Sequence, residues 1–213
     1  MTTPRPEHNV VERLRSAGIV PVATVEDPGQ APELARALAA GGLPCLEIAF
    51  RHPAAVEALR RAAEVEGILV GAGTVLSREQ AEAAAAAGAH FAVAPGTDAE
   101  IVAACRELGL AFFPGAATPT EIQHARRLEC GVVKLFPIST LGGPAFIRAV
   151  SATYPDMGYL PTGGIGPDDV AAYLALPTVV ACGGSWIVRA DLLREGRFDE
   201  IERLAREAVE SRR

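Results

Sequence analysis

Short apolar runs alternate with segments rich in Ala, Leu, Glu and Arg along the whole chain. Four glycines mark the pattern, because each follows a segment of helical periodicity and precedes a β-prone run; they are Gly67, Gly88, Gly109 and Gly131. Successive glycines are 21, 21 and 22 residues apart. A helix that ends at a C′ glycine and leads into a buried strand is a common unit. Its repetition predicts βα architecture.

Eight apolar runs of strand length extend this pattern. They cover 19–25, 45–50, 68–75, 89–96, 110–116, 132–137, 158–163 and 179–185. Such continuously apolar runs are typical of a parallel sheet covered by helices. We therefore predict a (β/α)8 barrel that forms a single domain over residues 1–213, with an extra N-terminal helix at about 7–16 and a closing helix at about 197–211. A doubly wound open sheet is the alternative.

Residues typical of N-caps or first helical turns stand between the strands. They are Asp27-Pro28, Ser77 with Gln80, Thr97 or Asp98, Thr118 with Glu121, and Gly166-Pro167-Asp168. These signals predict where the intervening helices begin.

The charge narrows the class of partner. The net charge is −6, and the chain is 49% hydrophobic and 22% charged, which is ordinary for a globular protein. Nucleic acids and anionic membranes are bound by clustered positive charge, so neither is expected as a partner. An anionic small molecule is still allowed, because a single site can be locally positive.

Targeting and metal signals are weak. The N-terminal MTTPRPEHNV lacks the apolar core of a secretory signal, and the Ala-rich run 81–89 is too short to cross a bilayer. We expect a cytoplasmic protein with reduced thiols. The four cysteines form no C-x-x-C pair and the four histidines have no metal-ligand spacing, so we expect no metal site.

The run CGVVKLFP holds the only lysine of the chain, Lys134, whereas the other 19 basic residues are arginines. Burial disfavours the charged form of an amine, and a neutral amine attacks carbonyls to give Schiff bases. Arginine stays protonated and cannot do so. Val132, Lys134 and Phe136 share one strand face, so we predict an inward-facing nucleophile. A snorkelling lysine or a structural ion pair with Glu47 is the alternative.

Alternation places three other polar residues beside Lys134. Glu47 and Arg51 share one face of the second strand, and Ala72 and Thr74 share one face of the third. In a (β/α)8 barrel the carboxyl ends of the strands form the active site. We predict Glu47 as a proton shuttle, Arg51 as a fork for a carboxylate and Thr74 as a hydrogen-bond donor to it. The alternatives are a counter-ion, an exposed helix-start residue and a residue that merely ends a strand.

Two glycine pairs end the last two strands. Gly163-Gly164 follows the seventh strand, and Gly183-Gly184-Ser185 follows the eighth. Bare backbone N–H groups at these two strand ends are a common phosphate site in barrels. Two tight turns are the alternative interpretation.

Seven motifs lie in order over nearly the whole chain. They are AGGLPCLEIAFR (40–51), VGAGTVL (70–76), FAVAPG (91–96), FFPGAATPTE (112–121), VKLFP (133–137), LPTGGI (160–165) and GGSWIV (183–188). With these motifs the sequence resembles the KDPG/KHG aldolases, class I enzymes of the Entner–Doudoroff pathway that cleave 2-dehydro-3-deoxy-6-phosphogluconate or 4-hydroxy-2-oxoglutarate.

The resemblance implies a homotrimeric (β/α)8 barrel that acts on a small phosphorylated keto acid without a cofactor. It implies Lys134 as the Schiff-base lysine and Glu47 as the general acid/base. The implied substrate-binding residues are Arg51 and Thr74 for the pyruvate carboxylate, Pro95 and Phe136 for the pyruvate pocket, Thr162 for the sugar-acid chain, and Gly163, Gly164, Gly184 and Ser185 for the phosphate.

The chain departs from the family pattern at Ala49, where Thr is frequent, and at Ala94, where Ser is frequent. The threonine at position 162 is the residue type seen in the gluconate-type enzymes, whose products are pyruvate and glyceraldehyde 3-phosphate. The galactonate-type aldolase is the alternative with the same chemistry. A phosphosugar isomerase or epimerase would use Glu47 as a base and Lys134 as a clamp, and a phosphosugar sensor would bind without turnover.

Overall fold

The computed structural model describes residues 6–212, in which short strands alternate with helices. The strands are β1 Ile19–Ala23, β2 Cys45–Ala49, β3 Leu69–Gly73, β4 Phe91–Val93, β5 Ala111–Phe113, β6 Gly115–Ala116, β7 Val132–Leu135, β8 Gly158–Pro161 and β9 Cys182–Gly184. The helices are α1 Pro6–Ala17, α2 Ala31–Ala40, α3 Ala55–Ala63, α4 Arg78–Ala86, α5 Ala99–Glu107, α6 Pro119–Arg127, α7 Gly143–Thr153, α8 Val170–Leu174, α9 Ala190–Arg194 and α10 Phe198–Glu210. Each of the eight predicted runs contains a strand.

The strands form two parallel sheets. One has the order β5-β4-β3-β2-β1-β9 and the other has the order β6-β7-β8. Every ladder between neighbours is parallel, which the intervening helices make possible as crossover connections. The predicted parallel α/β fold is thereby confirmed.

The two sheets adjoin at two places. Isolated parallel bridges pair Tyr159 with Val179 and Thr162 with Gly183, between the β8 and β9 regions. On the other side, Pro114 alone separates β5 from β6, and a proline has no backbone N–H to donate to a ladder. The predicted fifth strand is therefore divided into two short strands, one in each sheet.

Buried side chains form two separate clusters. The larger one packs the strands against the surrounding helices. The smaller one, here the inner core, combines alternate residues of seven strands with the apolar stripe of α1. The inner core consists of Val10, Leu14, Ala17, Val20, Cys45, Leu69, Phe91, Val93, Ala111, Phe113, Val132, Leu160, Val180 and Ala181.

The predicted helix starts are confirmed where side chains cap them. The carboxylate of Asp27 accepts a hydrogen bond from Gly29, and the hydroxyl of Ser77 accepts one from Gln80. Asp98, rather than Thr97, caps α5. Thr118 and Glu121 form a full capping box at the start of α6. At the 3-10 turn Pro167–Asp169, the N–H of Gly166 donates to Asp169.

The prediction of a C′ glycine is wrong at Gly67 and at Gly131. Helix α3 has its C-cap at Glu64, so Val65 takes the C′ position and Gly67 lies three residues beyond the cap. Gly88 and Gly109 follow the caps of α4 and α5 with φ of 87° and 65°, as expected. After α6, that position belongs to Glu129, whose φ is 59°. Hydrogen bonding there closes the helix end, since the N–H of Cys130 donates to Ala125 O over 3.1 Å.

Candidate active site

A lysine and a glutamate meet inside the molecule. Lys134 of β7 places its Nζ 3.2 Å from Oε1 of Glu47 on β2. The two residues are 6% and 4% exposed, and they are the only charged residues buried within the described part of the chain. A buried ion pair is a weak device for stability, because the desolvation of two charges offsets their attraction. The pair therefore stands out within an otherwise apolar interior.

Strand alternation delivers both side chains to this position. In β7, Val132 belongs to the inner core, whereas Val133 and Leu135 pack against the helices. Lys134, two residues after Val132, therefore points inward from the end of its strand. Glu47 follows Cys45, another inner-core residue, in the same way. The predicted inward face is confirmed for Glu47 in β2 and for Lys134 in β7, whereas Arg51 and Phe136, predicted to share these faces, lie beyond the ends of their strands.

The predicted face of the third strand is wrong. Ala72 packs in the outer cluster, so Gly71 and Gly73 occupy the inward positions of β3. A Cβ at Gly73 would lie 2.2 Å from Oε1 of Glu47 and 2.8 Å from its Cδ. The missing side chain at Gly73 thus provides the space that the Glu47 carboxylate fills.

Thr74 and Arg51 lie just beyond their strands. Thr74 is half-buried and has a φ of 60°, a left-handed conformation that is rare and strained for a β-branched residue. Such outliers cluster at functional sites. Arg51 is exposed, and its guanidinium makes no ion pair or hydrogen bond with residues 6–212. Its backbone N–H closes a tight turn to Ala49 O over 2.8 Å.

Phe136 lies beside the lysine. The Lys134 Nζ lies 5.8 Å from the centre of the Phe136 ring, which packs against Gly163. The Thr162 side chain packs against Gly183 and lines a small cavity together with Glu47. The structure thus brings Phe136 next to Lys134 and Thr162 to the side of Glu47.

A small cavity lies beside the carboxylate. Its volume is about 10 Å³, close to the smallest volume that holds one water molecule. Apart from backbone, its polar walls are Glu47 and Thr162, and Leu14 of α1 contributes an apolar wall. The N-terminal helix therefore helps to seal the space next to Glu47 from solvent.

The four predicted phosphate residues, here called the rim, lie at the ends of β8 and β9. Gly163 and Gly164 have φ of 97° and 76°, conformations that favour glycine, and Gly164 is exposed. Gly184 is buried and has the ring of Trp186 packed against it, so that any Cβ there would overlap the ring. Ser185 is exposed.

Pro95 is also exposed at the end of β4. Its loop is held to β6, because Gly115 donates to Gly96 O over 3.0 Å and a Cβ at Gly115 would overlap the Pro95 backbone. No contact described in the structure joins Pro95, Arg51 or Thr74 directly to Lys134.

Three residues that shape this site were not predicted from the sequence. Gly73 makes room for Glu47, Leu14 walls the cavity, and Ser139 packs against Gly164. For Leu14 there was a signal, since Val10 and Leu14 are four residues apart and form an apolar stripe. The other two positions depend on contacts between segments distant in sequence.

Outside this site, metal ligands, thiols and membrane-spanning helices were the other features of interest in the described residues. No group of three or more His, Cys, Asp or Glu residues between positions 6 and 212 is arranged as a metal site. Burial raises the pKa of the Cys45 thiol to about 12, and does the same for Cys105 and Cys182. No helix in the described part is long and apolar enough to cross a bilayer.

Fold and site together define a parallel α/β protein with a buried amine in contact with a carboxylate, the two groups on which covalent carbonyl chemistry depends. The chain belongs to the KDPG and KHG aldolase family, whose sequence model matches residues 10–204. The family resemblance predicted from the seven motifs is thereby confirmed. The family places the chain among the carbon–carbon lyases.

Individual members of the family are similar to this chain over nearly its whole length. The chain is 42% identical over 202 residues to the 2-dehydro-3-deoxy-phosphogluconate aldolase of Treponema pallidum, which covers 94% of this chain and 96% of that protein. The aldolase of Zymomonas mobilis ZM4, solved with 3-phosphoglycerate, superposes with a TM-score of 0.88 at 34% identity and 95% coverage of each chain. The Legionella pneumophila KDPG aldolase, solved with pyruvate captured as a covalent carbinolamine, gives 0.88 at 32% identity, with 92% of this chain and 96% of that chain covered.

Proposed function

We propose that this chain is a class I aldolase in which Lys134 forms a Schiff base with the keto group of its substrate and Glu47 moves the protons. The observation that carries the proposal is the 3.2 Å contact between Lys134 Nζ and Glu47 Oε1 inside an apolar interior. A carboxylate at this distance can accept a proton from the ammonium and leave a neutral nucleophile.

The first chemical step joins the amine to the substrate. Lys134 Nζ attacks the C2 carbonyl carbon, and the proton that the nitrogen then loses passes to the carbonyl oxygen to give a neutral carbinolamine. Glu47, protonated in the previous step, returns its proton to the departing hydroxyl, and water leaves as the iminium forms. The relative from Legionella was captured as a carbinolamine with pyruvate, which is the intermediate that this step predicts.

The second step breaks the C3–C4 bond. Glu47, through water, takes the proton from the C4 hydroxyl, whose oxygen becomes the carbonyl of the leaving aldehyde. The bonding electrons move through C3 towards the iminium nitrogen and give an enamine. Protonation at C3 and hydrolysis by water then release pyruvate and free Lys134. No metal is needed, since the iminium accepts the electrons.

We assign the substrate from the relatives and from the rim. Relatives at about 40% identity are named 2-dehydro-3-deoxy-phosphogluconate aldolases or KHG/KDPG aldolases. The substrate proposed here is 2-dehydro-3-deoxy-6-phosphogluconate, cleaved to pyruvate and glyceraldehyde 3-phosphate. Cleavage of 4-hydroxy-2-oxoglutarate to pyruvate and glyoxylate is a second activity of the same site, and the galactonate-derived acid is the alternative phosphorylated substrate.

The keto-acid end of the substrate is proposed to bind near the lysine. The exposed, unpaired guanidinium of Arg51 and the half-buried hydroxyl of Thr74 are proposed to hold the pyruvate carboxylate. Pro95 and Phe136 line the pyruvate pocket, and Thr162 contacts the sugar-acid chain.

The phosphate is proposed to bind at the strand ends of β8 and β9, to Gly163, Gly164, Gly184 and Ser185. The positive φ values of the first two glycines support this assignment, because such backbone turns direct N–H groups into a shared concavity.

We further propose that the two sheets close into one (β/α)8 barrel, preceded by α1, and that residues 1–213 are a single domain. The bridges between the β8 and β9 regions, the single-residue break at Pro114 and the separate inner core support closure. A homotrimer is carried over from the family resemblance, and a cytoplasmic location from the scattered cysteines, which predict reduced thiols.

The test is steady-state release of pyruvate from 2-dehydro-3-deoxy-6-phosphogluconate, coupled to lactate dehydrogenase. The Glu47→Gln variant keeps the shape of the side chain and is expected to lose about 10²–10⁴-fold in kcat. Glu66→Gln removes the same charge from an exposed position and is the matched control. Wild-type rates in the Glu47→Gln variant would contradict the assigned role, and no turnover by the wild-type chain would favour a sensor.

A further inference from the structure

A serine lies against the glycine pair that is assigned to the phosphate. Ser139 belongs to the 3-10 turn Ile138–Leu141, which follows the strand of Lys134. A Cβ at Gly164 would lie 2.1 Å from Ser139 Oγ and 2.6 Å from Ser139 Cβ. The serine side chain thus occupies the space beside Gly164, so a side chain there would have to displace it, and the φ of 76° also favours glycine.

The turn cannot easily move away from this position. Ile138 N donates to Thr162 O over 2.9 Å, and Ser139 N donates to Gly163 O over 3.1 Å. These two hydrogen bonds fasten the turn after β7 to the loop after β8. The position of the serine is therefore fixed by the same backbone that shapes the glycine loop.

The hydroxyl itself is available. Ser139 is exposed, and its Oγ makes no hydrogen bond with residues 6–212. The neighbouring hydroxyl of Thr140 differs, because it donates to Pro137 O over 2.9 Å. One hydroxyl of the turn is thus used within the turn, whereas the other faces the rim with its hydrogen free to donate.

We propose that Ser139 is a specificity-determining residue whose hydroxyl donates a hydrogen bond to the substrate phosphate, alongside the N–H groups of Gly163 and Gly164. This inference rests on the proposed function. Hydrogen bonds to charged oxygens are stronger than those between neutral groups, so the serine favours a phosphorylated acid over one that ends in a neutral or shorter chain.

The test compares two substrates in one variant. In Ser139→Ala, the KM for 2-dehydro-3-deoxy-6-phosphogluconate is expected to rise about tenfold with kcat little changed, the factor for one exposed hydrogen bond to a charged group. The KM for 4-hydroxy-2-oxoglutarate, which has no phosphate, stays at the wild-type value. The inhibition constant of inorganic phosphate rises by the same factor. Thr140→Ala is the matched control and leaves all three constants unchanged.

The outcomes separate the two proposals. Wild-type cleavage of the phosphorylated acid together with an unchanged Ser139→Ala variant overturns the inference about Ser139 alone. An equal rise in KM for both substrates also overturns it, since a disturbed turn rather than a lost phosphate contact would explain that result. Failure of the wild-type chain to cleave the phosphorylated acid overturns both proposals.

Discussion

The substitution Gly73→Ala displaces the Glu47 carboxylate without changing any charged residue. The new Cβ would lie 2.2 Å from Glu47 Oε1, and ordinary contacts begin near 3.4 Å, so the carboxylate has to move by about 1 Å. Gly73 lies within β3 and its φ is not positive, so alanine itself fits the backbone. The perturbation therefore falls on the position of Glu47.

The magnitude follows from the distance to Lys134. At 3.2 Å and an effective dielectric constant of about 20, the Lys134–Glu47 attraction is about 5 kcal/mol, and at a distance about 1 Å longer it is about 4 kcal/mol. This change of about 1 kcal/mol weakens the resting ion pair and does not itself change the barrier. The expected loss of kcat, about 100-fold, comes from misplacement of the proton-transferring carboxylate by about 1 Å.

The control is Gly71→Ala on the same face of β3. Its Cβ would lie 2.2 Å from the ring of Phe91, so it overpacks the interior to the same extent without touching Glu47. Both variants are expected to lose about 1–3 kcal/mol in free energy of unfolding, measured in urea. Only Gly73→Ala should lose kcat per folded molecule. Full kcat in a folded Gly73→Ala variant would refute the idea that catalysis depends on this position of Glu47.

Three further predictions concern the rest of the fold. Glu129→Gly relieves a left-handed φ of 59° and is expected to raise the free energy of unfolding by about 0.5–1 kcal/mol in urea titrations; a loss of stability would contradict this. Thr118→Ala removes a capping box and should lower the free energy of unfolding by about 1 kcal/mol; an unchanged free energy would show that this cap does not stabilise α6. With a pKa of about 12, Cys45, Cys105 and Cys182 are about 0.01% ionised at pH 8, so these three thiols should react with Ellman's reagent at least about 1,000-fold more slowly in native protein than in guanidinium; rapid native labelling of more than one of the four thiols would disprove their burial.

The fold was accessible from sequence because local signals repeat. Each apolar run met a capping residue or a glycine at its boundary, as with Ser77 before α4 and Gly109 after α5. Glu129 could not be predicted, since glutamate seldom adopts a left-handed conformation and Gly131 offered a more favourable candidate two residues later. The division at Pro114 likewise depends on which neighbour each half-strand pairs with.

The site was predictable where alternation is strict and unpredictable where it stops. Glu47 and Lys134 lie within regular strands, and the two-residue period brought both inward. Counting back from Thr74 placed Ala72 inward and failed, because the left-handed backbone at Thr74 breaks the period. The role of Gly73 was hidden for a different reason: it is the absence of a side chain that matters, and only the position of Glu47 reveals it.

The most direct test of Schiff-base formation by Lys134 is reduction of the protein with sodium borohydride in the presence of pyruvate, followed by intact-mass measurement and peptide mapping. Lys134 is the only lysine, so the N-terminal amine is the sole competing target and the matched internal control. If Lys134 forms a Schiff base, we expect one reduced pyruvyl adduct on the peptide that contains it, and none on that peptide in Lys134→Ala. A folded wild-type protein that gains no adduct there would contradict Schiff-base catalysis and favour the isomerase or the sensor.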